Sequence, residues 1–210
     1  HQVLSEWWNA VSKPLECLTV NDYEEKDAAR LAATTVKCSE LAEICSKLPA
    51  GGWCYHKIQV QLLEIKGALY YNACAELNGN RSCGREVDEM GECPKCEKAV
   101  RVEPRLKIHR GKFGDETDHV RVTVFGEQAS RILGIDAVTA ERLEQESIQM
   151  SDESRTRQRN AVRGAFDKFW LLGLELKEIG SGGNITVSAT AYSVEEIVLP
   201  SSDAKRARLF

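Results

Sequence analysis

The stretch HVRVTVFGEQASRILG, residues 119–134, contains a strand, a helix and a helix stop in direct succession. Three valines alternate with polar residues in its first half, which predicts a half-buried strand over His119–Phe125. The second half predicts a short helix that ends at Gly134. Another helix is predicted to begin at Asp136, because aspartate is a good N-cap. This run indicates a short β-strand followed by a helical interruption.

Further strands are predicted on both sides of this run from period-two alternation. Four of these strands are indicated by their apolar residues: Ile58/Val60/Leu62, Leu69/Tyr70/Tyr71, Val100/Val102 and Leu106/Ile108. Two later strands are predicted over residues 166–178 and 185–191. The phase slips at Leu62–Leu63, which predicts a β-bulge there. Short strands with one helical interruption predict a mainly β protein, a small Greek-key barrel.

Two segments outside these strands also have predicted structures. Residues 34–48 predict a short helix with Leu41, Ile44 and Cys45 on one stripe, inside a connector that spans residues 1–50. Residues 151–160 are polar and lack an apolar stripe, which favours a flexible loop.

The composition excludes several classes of protein. The chain has 210 residues, of which 42% are hydrophobic and 29% charged, as in ordinary globular proteins. It contains no apolar run long enough for a transmembrane helix, and we see no signal peptide, so no membrane association is expected. The net charge of −4 excludes a wholly basic surface. We find no catalytic triad, phosphate loop or open metal site, so we expect no enzyme.

Four of the eight cysteines fall within 23 residues: Cys74, Cys83, Cys93 and Cys96. The sequence Cys93-Pro94-Lys95-Cys96 is typical of a zinc knuckle, where a tight turn lets two thiolates bind one ion. Cys74 and Cys83 would complete a closed four-thiolate site for a structural Zn²⁺. The alternatives are a redox CxxC motif, which usually adjoins a βαβ unit, and cysteines that merely pack.

Charge is distributed unevenly along the chain. Residues 98–112 contain six basic residues and one acidic residue, whereas residues 136–153 contain six acidic residues and one basic residue. The basic segment is either a track for phosphates or a solvated charged face. The residues alone leave both interpretations open.

The motifs together resemble a known family, the C-terminal DNA-binding domain of the replication protein A large subunit. The resemblance covers about residues 53–198. It rests on YYNAC at 70–74, CPKC at 93–96, VTVF at 122–125 and ILG at 132–134. It implies an oligonucleotide-binding (OB) barrel with a zinc ribbon at 74–98. Residues 1–52 would be the end of a preceding OB domain and a linker, and 199–210 a C-terminal tail.

The resemblance implies single-stranded DNA binding by base stacking and phosphate neutralisation. Phe125 is the expected stacking residue. Arg121 stands where the family often has an aromatic, and it is expected to meet phosphate or base in place of that ring. Phe113, Tyr71 and Trp170 are further candidate stackers. The cations expected to line the same groove are Lys98, Arg101, Arg105 and Lys107.

The resemblance also implies a nuclear protein that acts in DNA replication, repair or recombination, with smaller OB-fold subunits or another protein as partners. An alternative is a protein-interaction OB module of a telomere- or DNA-end-protection complex, in which DNA binding is secondary. The acidic net charge, Arg121 and the acidic segment 136–153 favour that alternative.

Overall fold

A computed structural model describes residues 20–49, 51–78, 81–148, 152–181 and 184–198. Its helices are α1 (Val20–Leu31), α2 (Cys38–Ser46), α3 (Gly126–Leu133), α4 (Ala137–Ile148) and α5 (Asp152–Val162), with a 3₁₀ turn at Arg163–Ala165. Its strands are β1 (Trp53–Glu64), β2 (Tyr70–Cys74), β3 (Leu77–Asn78), β4 (Arg81–Ser82), β5 (Glu92–Cys93), β6 (Lys98–Ala99), β7 (Val102–Gly114), β8 (His119–Phe125), β9 (Phe169–Ser181) and β10 (Asn184–Ile197). Within the described ranges, none of the helices has the length and apolar character to cross a membrane. Residues 1–19 and the tail 199–210 lie outside the description, as do Gly182 and Gly183 of the predicted turn.

Five strands close into a barrel in the order β1-β9-β10-β8-β7, with β7 pairing back to β1. β10 and β8 run parallel, and the other neighbours in this ring run antiparallel. This is the Greek-key arrangement of an OB-fold, with α3, α4 and α5 between the third and fourth barrel strands. The expected fold class is therefore confirmed, and β3 to β6 form the inserted ribbon.

The barrel core follows the alternation in the sequence. Ile58, Val60 and Leu62 of β1 face inward and are fully buried. The predicted bulge is confirmed, because the register between β1 and β7 shifts between Leu62 and Glu64. Val122 and Val124 of β8 are also buried, and α3 covers one end of the core with Ala129, Ile132 and Leu133.

Two candidate stacking residues prove to be core residues. Trp170 is 1% exposed and donates its indole N–H to the Ala165 carbonyl at 3.2 Å. Phe113 has no exposed surface. Neither ring can meet a base, so both predictions are wrong.

The helices after β8 agree in part with prediction. Helix α3 ends at Gly134, which has a φ of +70°, and its N–H bonds to the Ser130 carbonyl. Asp136 accepts a hydrogen bond from the Thr139 N–H at 2.7 Å, as an N-cap does. The predicted flexible loop at 151–160 is wrong, because Asp152–Val162 forms α5. Its buried residue Val162 joins the barrel core, so tertiary packing supplies what the polar sequence lacks.

The segment before the barrel contains two helices, of which α2 was predicted and α1 was not. Helix α1 is fixed by Arg30, whose guanidinium lies over the rings of Tyr55 and Tyr192 at 5.3 and 5.4 Å. The same guanidinium lies 3.8 Å from the Glu175 carboxylate. These contacts join α1 to β1, β9 and β10.

Asp115, in the β7–β8 turn, attaches α2 to the barrel. One carboxylate oxygen accepts the Cys38 N–H at 2.8 Å, and the other accepts the N–H groups of Thr117 and Asp118. Burial alone would raise its pKa, but these hydrogen bonds and the Thr117 hydroxyl lower the pKa of Asp115 to about 2. The carboxylate is therefore stabilised in its charged form.

Replacing Asp115 with asparagine should make the protein less stable at neutral pH. Because the folded-state pKa of Asp115 lies below the ordinary value of 3.8, the stability contributed by its charged carboxylate is fully present above about pH 4. It is lost as the pH falls towards about 2. We expect Asp115→Asn to lower the free energy of unfolding by on the order of 1–2 kcal/mol at pH 7. This is less than the full pKa shift of Asp115 implies, because solvent screens a half-buried group.

Urea unfolding at a series of pH values measures this difference. Glu116→Gln is the control, since the exposed Glu116–Lys37 pair should contribute only about 0–1 kcal/mol. An Asp115→Asn difference that stayed constant down to pH 2 would contradict the assigned role of the charge.

Candidate nucleic-acid interface and metal centre

The four clustered cysteines converge in the ribbon. Cys74 ends β2, Cys83 follows β4, Cys93 ends β5, and Cys96 lies in the turn before β6. Their sulfurs all lie within 4.8 Å of one another, and the Cys74–Cys96 and Cys83–Cys93 pairs are 3.8 Å apart. A tetrahedral ion with Zn–S bonds of about 2.3 Å places its sulfurs about 3.8 Å apart. The four cysteines could therefore hold a metal ion, with all four positions filled by protein.

The backbone around Cys93 favours thiolate ligands. Burial raises the pKa of the Cys93 thiol, but the N–H groups of Cys96 and Lys95 and the neighbouring thiols outweigh burial and lower the pKa to about 7. The knuckle turn is closed by the Glu97 N–H, which bonds to the Cys93 carbonyl at 2.8 Å. Glu97 itself has a φ of +52°, and the Lys95 and Cys96 N–H groups inside the turn point at the Cys93 sulfur. The residues fit a thiophilic metal ion.

An aromatic and cationic cluster lies on the outer surface of β2, β7 and β8. In the register of these strands, Tyr71 lies opposite Arg105 and Lys107 lies opposite Phe125. The Phe125 ring meets the Tyr71 ring edge-on, with centroids 6.1 Å apart. The Lys107 ammonium lies 5.1 Å from the centre of the Tyr71 ring. Phe125 is 43% exposed, so it presents ring surface to solvent.

Arg121 lies on the same outer surface, further along β8. The predicted alternation is confirmed, because Val122 and Val124 are buried while Arg121 and Phe125 are exposed. Arg121 is opposite Lys112 of β7, and its guanidinium donates to the Arg110 carbonyl at 3.4 Å. We call Tyr71, Arg105, Lys107, Arg121 and Phe125 the outer face.

The expected cations divide into two groups. Three are paired with carboxylates: Lys98 with Glu76 at 3.1 Å, Arg105 with Glu103 at 2.6 Å, and Lys107 with Glu86 at 2.8 Å. Within the described residues, Arg101 and Arg121 have no carboxylate within 4.0 Å. Lys98 lies on the ribbon strand β6, and Arg101 lies between β6 and β7. Their place in the same groove as the outer face stays a prediction.

The sequence profile described as "Replication factor-A C terminal domain" matches residues 53–203, which is most of the chain. The chain belongs to this family. The matched range begins at β1 and includes the whole barrel and the ribbon.

Individual members of the family are distant relatives. The chain is 30% identical over 141 residues to one replication protein A 70 kDa DNA-binding subunit of Arabidopsis thaliana, and 29% identical over 132 residues to another from the same plant. These alignments cover 64% and 60% of this chain but only 17% and 15% of the relatives. A chain in the structure of a replication protein A heterotrimer bound to ssDNA matches with a TM-score of 0.61 at 19% identity, over 84% of this chain and 38% of that chain. That likeness concerns the fold.

In this member of the family, two of the carboxylates that pair with the basic residues have no signal in the sequence, Glu76 and Glu86. Glu76 and Glu86 lie 22 and 21 residues from the lysines they contact. Glu76 meets Lys98 within the ribbon, and Glu86 meets Lys107 where the ribbon folds back onto β7, so no local pattern indicates these pairs. The position of Tyr71 beside Phe125 likewise depends on strand register.

Proposed function

We propose that the domain binds single-stranded DNA on the outer face. The observation that carries this proposal is the cluster of Phe125, Tyr71 and Lys107, which joins exposed ring surface to positive charge. Lys107 and Phe125 lie on β7 and β8, the second and third strands of the barrel, and Tyr71 lies on the adjoining β2. That surface is where OB-folds bind oligonucleotides. The names of the Arabidopsis relatives as DNA-binding subunits, and the ssDNA bound to the heterotrimer, support the proposal.

The proposed binding mode combines stacking with charge neutralisation. A base stacks on the exposed surface of the Phe125 ring, which the Tyr71 ring meets edge-on. Arg121 and Arg101 meet phosphates directly, because neither must first leave a carboxylate. Aromatic rings stack on every base, so we expect little sequence specificity and no catalysis.

Removing the Phe125 ring should weaken binding without unfolding the barrel. We expect Phe125→Ala to cost roughly 1–3 kcal/mol of affinity for an oligothymidine strand, the usual range for one stacking aromatic. Fluorescence anisotropy measures the affinity, and thermal unfolding of the same variant measures its stability.

Val138→Ala is the matched control, since it removes an exposed apolar side chain from α4. A lower melting temperature with unchanged affinity would show that Phe125 is a packing residue, and would refute the stacking role.

Replacing Arg121 with glutamine should reduce the salt dependence of DNA binding. We expect the log–log plot of affinity against salt to flatten by about 0.7, the value for one lost phosphate contact on a single strand. Arg131→Gln on α3 is the control, because Arg131 is paired with Glu127 within its own helix. An unchanged slope for Arg121→Gln would remove Arg121 from the interface.

We propose that the metal held by Cys74, Cys83, Cys93 and Cys96 is zinc. Soft thiolates in tetrahedral arrangement suit zinc, and four protein ligands leave no position for substrate. The ion would link the end of β2 to the ribbon strands and would have a structural role. The barrel has its own buried core, so its folding does not depend on the ribbon.

Elemental analysis should give one zinc per chain, and Cys83→Ser should reduce it below half an equivalent. Cys54→Ser is the control, because Cys54 lies on β1 outside the cluster. We expect Cys83→Ser to leave the barrel folded by circular dichroism, with increased proteolysis in the ribbon. Full zinc content in Cys83→Ser would contradict the proposed ligand set.

The cellular role proposed for the domain rests on the same family membership. We propose that the chain belongs to a nuclear protein that acts in DNA replication, repair or recombination. Residues 1–52 would connect this barrel to a preceding OB domain. Smaller OB-fold subunits would be its partners. The heterotrimeric state of the structural neighbour supports this assembly. The paired cations favour a second candidate, a protein-interaction module with secondary DNA binding. Binding that does not depend on salt would favour the second candidate.

A further inference from the structure

We propose that Glu86 competes with DNA phosphate for Lys107 and so limits the affinity of the outer face for single strands. This inference rests on the proposed function and identifies a residue that tunes it. It concerns a carboxylate of the ribbon that no DNA-binding pattern in the sequence includes.

Glu86 occupies the place that a phosphate would take at Lys107. Its two carboxylate oxygens lie 2.8 and 3.0 Å from the Lys107 ammonium, which are the distances of charge-assisted hydrogen bonds. The Tyr71 ring covers another side of the ammonium. The Lys107 side chain is only 16% exposed as a result. A phosphate therefore reaches Lys107 only after the Glu86 carboxylate leaves.

The backbone holds Glu86 in this position, while its side chain remains free to move. Residues 85–87 run antiparallel beside β2: the Cys74 N–H bonds to the Arg85 carbonyl at 2.8 Å, and the Val87 N–H bonds to the Asn72 carbonyl at 2.9 Å. The Glu86 side chain is 61% exposed. It can turn into water without disturbing these bonds, so the pair can open while the ribbon stays in place.

Exchange of Glu86 for phosphate yields little net gain. The ammonium exchanges one anionic partner for another, and the released carboxylate stays close to the DNA backbone. Lys107 therefore contributes less to counterion release than an unpaired lysine on the same strand. Without the carboxylate, the ammonium would be free and adjacent to the base-stacking rings.

Glu86→Gln tests this inference, because glutamine keeps the size of the side chain and removes its charge. We expect oligothymidine to bind about two- to fivefold more tightly, the range set by one exposed ion pair. The log–log salt slope should become steeper by about 0.7, corresponding to one additional phosphate contact. Glu89→Gln at the ribbon tip is the matched control for the change in net charge. In a Lys107→Met background, Glu86→Gln should give no gain beyond that of Glu89→Gln.

The outcomes separate this inference from the proposed function. If the wild-type protein binds no oligothymidine, the proposed function fails. If the wild type binds and Glu86→Gln matches Glu89→Gln in affinity and slope, the competition is refuted while the function stands. Weaker binding of Glu86→Gln would refute it too, because Glu86 would then position Lys107 for phosphate.

Discussion

Closure of the barrel is the constraint on which the rest of the structure depends. In a closed sheet each strand must turn one set of alternate side chains inward, so the other set is committed to the outside. Burial of Val122 and Val124 therefore places Arg121 and Phe125 on the surface. The same requirement on β7 buries Leu106 and Ile108 and turns Lys107 outward. The outer face is thus a geometric consequence of packing the core.

Strand β7 connects this constraint to the ribbon. Its first part pairs with β2, its last part pairs with β1, and β8 lies along its other edge. Because β2 ends at Cys74, the cysteine cluster begins where β2 and β7 are still paired. The chain that returns from Cys83 brings Glu86 back along β2 to Lys107. A ribbon built around four cysteines thereby sets the electrostatics of the neighbouring surface.

The sequence predicted those features that local patterns encode. The bounds of β8 and α3, the stop at Gly134 and the Asp136 cap follow from alternation and capping chemistry, and they are confirmed. The burial of Phe113 was not predicted, because the register between β7 and β8 shifts between Ile108 and Gly111. Before this shift the even-numbered residues of β7 face the core, and after it the odd-numbered residues do. Trp170 was misassigned although its signal was present, since the series Leu176, Leu174, Leu172 continues to it at period two. The Glu76–Lys98 and Glu86–Lys107 pairs could not be predicted, because they join residues more than 20 positions apart. The Glu103–Arg105 pair is local, since residues two apart on a strand share a face.

The central claim is that single-stranded DNA lies on the outer surface of β7 and β8. Mapping of backbone amide chemical shifts during titration with a strand of about ten nucleotides tests it most directly, since one OB-fold covers about 4 to 16 nucleotides. The account predicts that the largest changes occur at Tyr71, Lys107, Arg121 and Phe125 and along the ribbon strand β6. Changes concentrated on α1 and the first half of β1, around Arg30 and Tyr55, with β8 unaffected, would contradict it.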